Sequence, residues 1–302
     1  MSRQWLKQPE RGSLFLIRLI TRITLLLGRP AGRLLLYPIT LYFVLFSGKA
    51  RNASRHYLKR VLPQPIGMRH IFRHYHTFAA TILDRIYLLS GRQDYFNIDI
   101  RGETLLLEQL KDGRGCMLLG SHLGSFELLR SLAATHPDIS VKALMYEENA
   151  EKINQVIQTL NPEIADMIIP IGRPDSLFQV QEAIERGEII GILGDRIALD
   201  DKQVKVLFFD QTCRFPAGPM LIAGLLKIPV VLFFGIHRGG RDYQIHFELL
   251  TEGFHLDREE RWQQITEWTQ RYANRLEYHT RQAPYNWFNF YDFWDGSGNR
   301  PK

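Results

Sequence analysis

A chain of 302 residues, 45% of them hydrophobic, can bury one large core and shows no repeat or low-complexity tract. Two cysteines, Cys116 and Cys213, exclude a disulfide framework and a cysteine metal centre, and their apolar surroundings fit reduced, buried thiols. The net charge of +6 is uneven: residues 1–60 hold twelve Lys and Arg against Glu10 alone, a net of +11, which leaves −5 for the rest.

The basic segment is also apolar. Ser13–Leu27 reads SLFLIRLITRITLLL and Leu34–Phe46 reads LLLYPITLYFVLF. A nucleic-acid arm rarely carries so much aliphatic surface, so an anionic membrane surface is the expected partner and nucleic acid is not. The first run is broken by Arg18 and Arg22, and the second is shorter than the roughly 20 apolar residues of a spanning helix. Both fit interfacial helices, peripheral or monotopic. No small-residue cleavage site follows, so a secretory signal is not expected. Residues 1–62 thus read as a basic amphipathic helical membrane-association region, and 63–302 as the catalytic or binding body.

A long amphipathic helix is predicted over Gly67–Ser90. From there short apolar runs alternate with helical stretches. Strands are predicted at Phe96–Ile100, Cys116–Leu119, Ser140–Leu144, Met167–Pro170, Ile189–Leu193, Gln203–Phe209 and Val230–Gly235. Helices are predicted at Glu103–Lys111, Ser125–Ala134, Asn149–Leu160, Ser176–Arg186 and Gly218–Leu226. Asp242–Leu250 should return as an antiparallel strand, followed by a last helix over about Arg258–Thr280. This alternation predicts an α/β fold: a mostly parallel central sheet flanked by helices. The tail, Pro284–Trp294, reads PYNWFNFYDFW and is expected to pack against the core edge.

The spacing H-x4-[DE] occurs three times, at His122–Glu127, His237–Asp242 and His255–Glu260. The second reads as a hairpin turn and the third leads into the last helix. Only His122 follows a buried strand and opens a helix, in "GSHLGSFELLR", at the carboxyl end of a strand where α/β sheets bind ligands. The positive end of a helix dipole disfavours imidazolium, so a ring there is neutral and serves as a general base near pH 7. Glu127, in the first helical turn, is expected to hold one ring nitrogen and stabilise the imidazolium. Ser121 and Ser125 lie near, but G-x-S-x-G is absent. A base without a nucleophile predicts direct attack by a bound hydroxyl. His70, His74 and His76 have no carboxylate or cysteine at ligand spacing, so neither a metal nor a cofactor is expected.

"SHLGSFELLR" resembles the H-F-G-N-W-E block of the lipid A biosynthesis lauroyl/myristoyl acyltransferases, which belong to the wider H-x4-[DE] lysophospholipid and glycerolipid acyltransferases. The resemblance runs through "GRPDSLFQVQEAIERGEIIGILGDR" (172–196), "RFPAGPMLIAGLLKIPVV" (214–231) and "LEYHTRQAPYNWFNFYDFW". Within the family the chain is most similar to members found in aryl-polyene and xanthomonadin-type pigment clusters. Ser125 stands where asparagine is usual and Phe126 where tryptophan is usual. The resemblance implies an O-acyltransferase at the cytoplasmic face of a bacterial inner membrane. Its donor would be an acyl-carrier-protein or coenzyme A thioester, and its acceptor a lipid or glycolipid. His122 would be the base and Glu127 its partner. Arg173 and Arg196 would hold acceptor phosphate or the oxyanion. Asp195 would orient Arg196 or close the site, Ser125 would contact substrate, and Gly218 would let backbone approach it. The rival readings are a catalytically silent membrane-bound carrier of lipid or pigment precursor, and a serine hydrolase.

Overall fold

The computed structural model describes residues 24, 26–129, 136, 138–146, 167–172, 175–197 and 202–294. Most of Ser13–Leu27, the helix Asn149–Leu160, the stretch of Ser125–Ala134 beyond Leu129, and Arg173 lie outside the described residues.

Three helices come first: α1 (Arg29–Phe46), α2 (Gly48–Val61) and α3 (Met68–Leu89). Pro30 sits in the first turn of α1, where its missing N–H has no intrahelical partner to lose, and the helix runs on through Pro38. One face of α1 packs on α3, with Leu36 against Ala80 and Leu83. The other presents Leu34, Tyr37, Leu41, Tyr42, Leu45 and Phe46, each half or more exposed. The basic stretch Gly48–Val61, part of the helical region expected over residues 1–62, forms a helix, and it buries Tyr57, Leu58 and Val61 in the main core. Among the described residues no single helix is long and apolar enough to cross a membrane; α1 and α2 pass that test only together, bent by 96°.

Arg29 ties α1 to the body. Its guanidinium grips the Asp84 carboxylate of α3 at 2.7 and 2.8 Å, and Tyr243 donates to the same carboxylate at 2.9 Å. Asp84 is fully buried, so its charge is tolerated only because these donors surround it.

The central sheet has seven strands: β1 (Asn97–Arg101), β2 (Met117–Gly120), β3 (Val141–Tyr146), β4 (Ile168–Ile171), β5 (Ile189–Leu193), β8 (Val230–Gly239) and β9 (Asp242–Thr251). Their order is β1-β9-β8-β2-β5-β3-β4. β8, β2, β5, β3 and β4 run parallel; β9 is antiparallel to β8, and β1 runs parallel to β9. All four residues of β2 are buried, which explains why its sequence reads as a continuous apolar run. Its pleat sends Met117 and Leu119 into one apolar cluster and Cys116 and Leu118 into the other, so both sheet faces are covered. Around the sheet lie α4 (Glu103–Leu110), α5 (Ser176–Glu185), α6 (Gly218–Leu226) and α7 (Arg261–Gln282).

One expected strand is placed differently. Gln203–Phe209 does not enter the central sheet: β6 (Gln203–Phe208) pairs antiparallel with β7 (Gln211–Pro216) in a separate hairpin. Its burial alternates, exposed then buried at every step, as a strand with one wet face must. The hairpin packs on α7, where Gln270 bonds the Leu207 backbone at both N–H and carbonyl.

Candidate active site

β2 and β5 are parallel neighbours, with Gly120 paired to Leu193, so the chain leaves both at the same sheet edge. His122 lies two residues past the end of β2, and Asp195 two residues past the end of β5. Register alone brings them together. His122 Nδ1 is 2.7 Å from Asp195 Oδ1, and the His122 backbone N–H donates to Oδ2 at 3.0 Å. The indole N–H of Trp287 donates to the same Oδ2 at 2.9 Å. The imidazole is 28% exposed and the Asp195 side chain 1%.

A carboxylate with these donors is an acceptor only, so Nδ1 carries the ring proton and Nε2 carries the lone pair. Burial alone would raise the Asp195 carboxyl, but His122, Arg196 and the Trp287 N–H outweigh it and hold it at about 2. Burial, then the cationic Arg196, push His122 below its ordinary value, against the pull of Asp195; Arg85 adds to the push. The ring is neutral at pH 7 and its lone pair lies on Nε2. Arg196 is braced by a 2.8 Å bond from its guanidinium to the Phe288 carbonyl.

The loop is built by the aromatic tail. Phe288 N–H donates to the His122 carbonyl at 2.9 Å, and Gly124 N–H donates to the Asn286 carbonyl at 2.9 Å. Asn286 in turn uses its amide oxygen and nitrogen on the backbone of His237, at 2.8 and 3.1 Å. Gly124 has φ +78° and lies against the Gly235 carbonyl, where a Cβ would collide with backbone. His74 of α3 bridges Ser54 Oγ at 2.8 Å and the Trp287 carbonyl at 2.9 Å, and burial lowers it to about 4. The tail does pack on the core, as expected, and it also sets the atoms that hold Asp195.

Glu127 is placed otherwise than the sequence suggested. It does not take a ring nitrogen of His122; Asp195 already occupies Nδ1. Its Oε2 accepts from Ser125 Oγ at 3.0 Å, and its Oε1 pairs with Arg85 of α3. The cause is local. Residues Phe126–Leu128 form a 3₁₀ turn, which begins after an extended Ser125, and this tighter turn offers Glu127 to Ser125 and α3. Ser125 is buried, and its N–H donates to the Gly235 carbonyl at 2.8 Å.

Neither serine bonds the histidine. Ser121 Oγ accepts from the Leu123 N–H at 3.3 Å, and Ser125 Oγ serves Glu127. Gly218 is the first residue of α6, followed by Pro219; a Cβ there would meet nothing within 4 Å, so close backbone approach does not require this glycine. No described bond joins it to the groups around His122. Among the described residues no group of three His, Cys, Asp or Glu could hold a metal. The sequence reading missed Arg85 and Trp287, and gave Asp195 a different task. An ionisable residue just past the end of each of two buried strands was the available signal for the last, but only the pairing of β2 with β5 joins them.

A family model described as bacterial lipid A biosynthesis acyltransferase matches residues 3–295. A search of the curated proteins gives no match. The chain belongs to that family and is an acyltransferase.

Proposed function

We propose that the protein is a membrane-associated O-acyltransferase that moves a fatty or polyene acyl chain from an acyl-carrier-protein or coenzyme A thioester to a hydroxyl of a lipid or glycolipid. The observation that carries this reading is His122, oriented through Nδ1 by Asp195, with no bond to Nε2 and no serine on the ring among the described residues. The acceptor hydroxyl gives its proton to Nε2 as its oxygen attacks the thioester carbonyl. The carbon–sulfur bond then breaks, and the imidazolium returns the proton to the departing thiolate. Ester and thiol are the products, and the histidine ends as it began.

Asp195 keeps the required tautomer and favours the transient imidazolium. Arg196, close enough to His122 to bear on its basicity, is suited to the oxyanion or to an acceptor phosphate. The exposed apolar face of α1, with basic α2 beside it, supports seating on an anionic leaflet, and the cytoplasmic face of a bacterial inner membrane fits two buried free thiols. An amphiphilic acceptor would then reach the base by diffusion in the membrane.

The test is a paired assay of purified protein with an acyl-carrier-protein or acyl-coenzyme A thioester. Slow thiol release without acceptor, and faster release with acyl transfer into vesicle lipid, is expected. No thiol release under either condition would favour a silent carrier; fluorophosphonate labelling of Ser121 or Ser125 would favour a serine hydrolase.

A further inference from the structure

The seam between α1 and α3 holds one cation more than it balances. Arg29 and Arg33 stand one turn apart on α1, and both bear on His237 and Tyr243, as Asp84 does. Among the described residues Asp84 is the one acid that acts on this cluster. Its carboxylate is already taken by Arg29 and Tyr243. Arg33 is left over: its Nη1 is buried and has no hydrogen-bond acceptor. His76 of α3, close enough for Arg33 to bear on it, repeats the pattern, with Nε2 buried and unpartnered. Burial first, then Arg33, hold His76 below its ordinary value, so at pH 7 it is a neutral ring with one N–H to give. Buried donors without acceptors are rare, because each has given up water for nothing. Two of them beside an uncompensated charge fit an anion with at least two acceptor oxygens.

The surroundings narrow the anion. One turn beyond Arg33 comes Tyr37, whose ring lies 4.7 Å from that of His76 and 6.3 Å from that of Phe72. Leu34 and Leu41 on the same helix are 71% and 50% exposed. The orphaned donors therefore lie where the bare apolar face of α1 begins. A free phosphate would answer the charge and leave that face in water. A phospholipid answers both, with its phosphate at the seam and its chains on the helix.

We propose that α1 and α3 form a binding site for the phosphate of an anionic membrane phospholipid: Arg33 and His76 hold the phosphate oxygens, and the acyl chains lie along Leu34, Tyr37 and Leu41. The proposal rests on the seating of α1 at the membrane and names the contact that fixes it there.

The experiment measures binding of dihexanoyl phosphatidylglycerol to full-length protein in neutral detergent, by titration calorimetry and thermal unfolding. Inorganic phosphate and dihexanoylglycerol, which lacks the phosphate, are run beside it. Near saturation the phospholipid should raise the wild-type melting temperature by about 3–6 °C, and neither control should match it. Arg33→Gln should weaken phospholipid binding by about 10- to 100-fold, and Arg33→Lys, which keeps the charge without the fork, by less. His76→Leu should weaken it by about 3- to 10-fold. Lys49→Gln with Lys59→Gln removes two exposed cations of α2 and should leave the affinity within about twofold, because exposed charges far from the anion are screened. Without lipid, Arg33→Met should melt at or above wild type, since it removes a charge that has no counter-ion in the fold.

Unchanged binding in Arg33→Gln would overturn the site, as would an equal loss in the Lys49 and Lys59 variant. Inorganic phosphate matching the phospholipid would overturn the lipid. A lipid-free Arg33→Met protein that melts well below wild type would make Arg33 a part of the fold and overturn the proposal as well. Failure of membrane seating would show separately: wild type would bind the short-chain phospholipid through Arg33 yet not sediment with phosphatidylglycerol vesicles.

Discussion

Asp195→Asn should disable the site while leaving the fold in place, and the reason lies in three bonds. The carboxylate accepts from His122 Nδ1 at one oxygen, and from the His122 and Trp287 N–H groups at the other. An asparagine can satisfy the two N–H groups with its single oxygen. Its NH₂ must then face Nδ1, and a donor facing Nδ1 demands a lone pair there. The ring proton moves to Nε2, the atom that should accept from the acceptor hydroxyl. The base is lost by tautomer rather than by removal, and the negative charge that supports imidazolium goes with it. Loss of a general base slows reactions by about 10²- to 10⁴-fold, or roughly 3–5 kcal/mol in the barrier. Asp195→Ala is the poorer variant, since it strands the buried Trp287 N–H at a cost of about 1–3 kcal/mol in stability. The assay is acyl transfer from the thioester into vesicle lipid, with thermal unfolding as the fold control. A folded Asp195→Asn enzyme with more than a tenth of wild-type turnover would refute the assignment of Nε2 as the base.

Three further outcomes follow from the same structure. Leu41→Glu with Leu45→Glu, at positions 50% and 53% exposed on α1, should weaken vesicle binding by about 100-fold, equivalent to roughly 3 kcal/mol of lost apolar burial, with an unchanged melting temperature; sedimentation with anionic vesicles reads it, and undiminished binding would remove α1 from the membrane contact. Asp84→Asn should cost about 3–5 kcal/mol by leaving Arg29 buried without its counter-charge, which calorimetry would show as a melting temperature lower by on the order of 10 °C. His74, lowered to about 4 from an ordinary 6.5, is neutral in the fold and takes up a proton first when unfolded, so its contribution is whole above pH 6.5 and is lost as pH falls toward 4; urea unfolding of His74→Gln, which keeps a donor for the Trp287 carbonyl, should show a shallower loss across that window than wild type.

Much of the sheet was legible because its strands are buried on both faces. β5 begins and ends where its apolar run does, and β2 lies within a residue of its predicted limits. The same logic misplaced β6, whose alternating burial belongs to a hairpin on the flank. The site was legible in part. His122 stood out by its context, since a polar ring after a buried strand and before a turn points to an exposed sheet edge. Its partner did not, because a five-residue spacing within one segment looks like a dyad, whereas the bond to Asp195 spans 73 residues and depends on which strands are neighbours. Arg85 was missed for a similar reason: in sequence Asp84–Arg85 reads as a structural part of the helix, and only the packing of α3 against the turn Phe126–Leu128 brings Arg85 to Glu127. Trp287 read as core packing, and it is 1% exposed; what sequence does not show is that its indole N–H aims at a carboxylate.

The central claim is that His122 takes the proton of the acceptor hydroxyl. It is tested most directly by single-turnover transfer in His122→Ala, with enzyme in excess over a labelled acyl-carrier-protein thioester and vesicle lipid as acceptor, at pH 7.5. Excess enzyme removes product release from the rate, so the measurement reads the chemical step. The account predicts a rate lower by about 10²- to 10⁴-fold in a protein that melts as wild type does. A folded His122→Ala protein that retains more than a tenth of the single-turnover rate would contradict it.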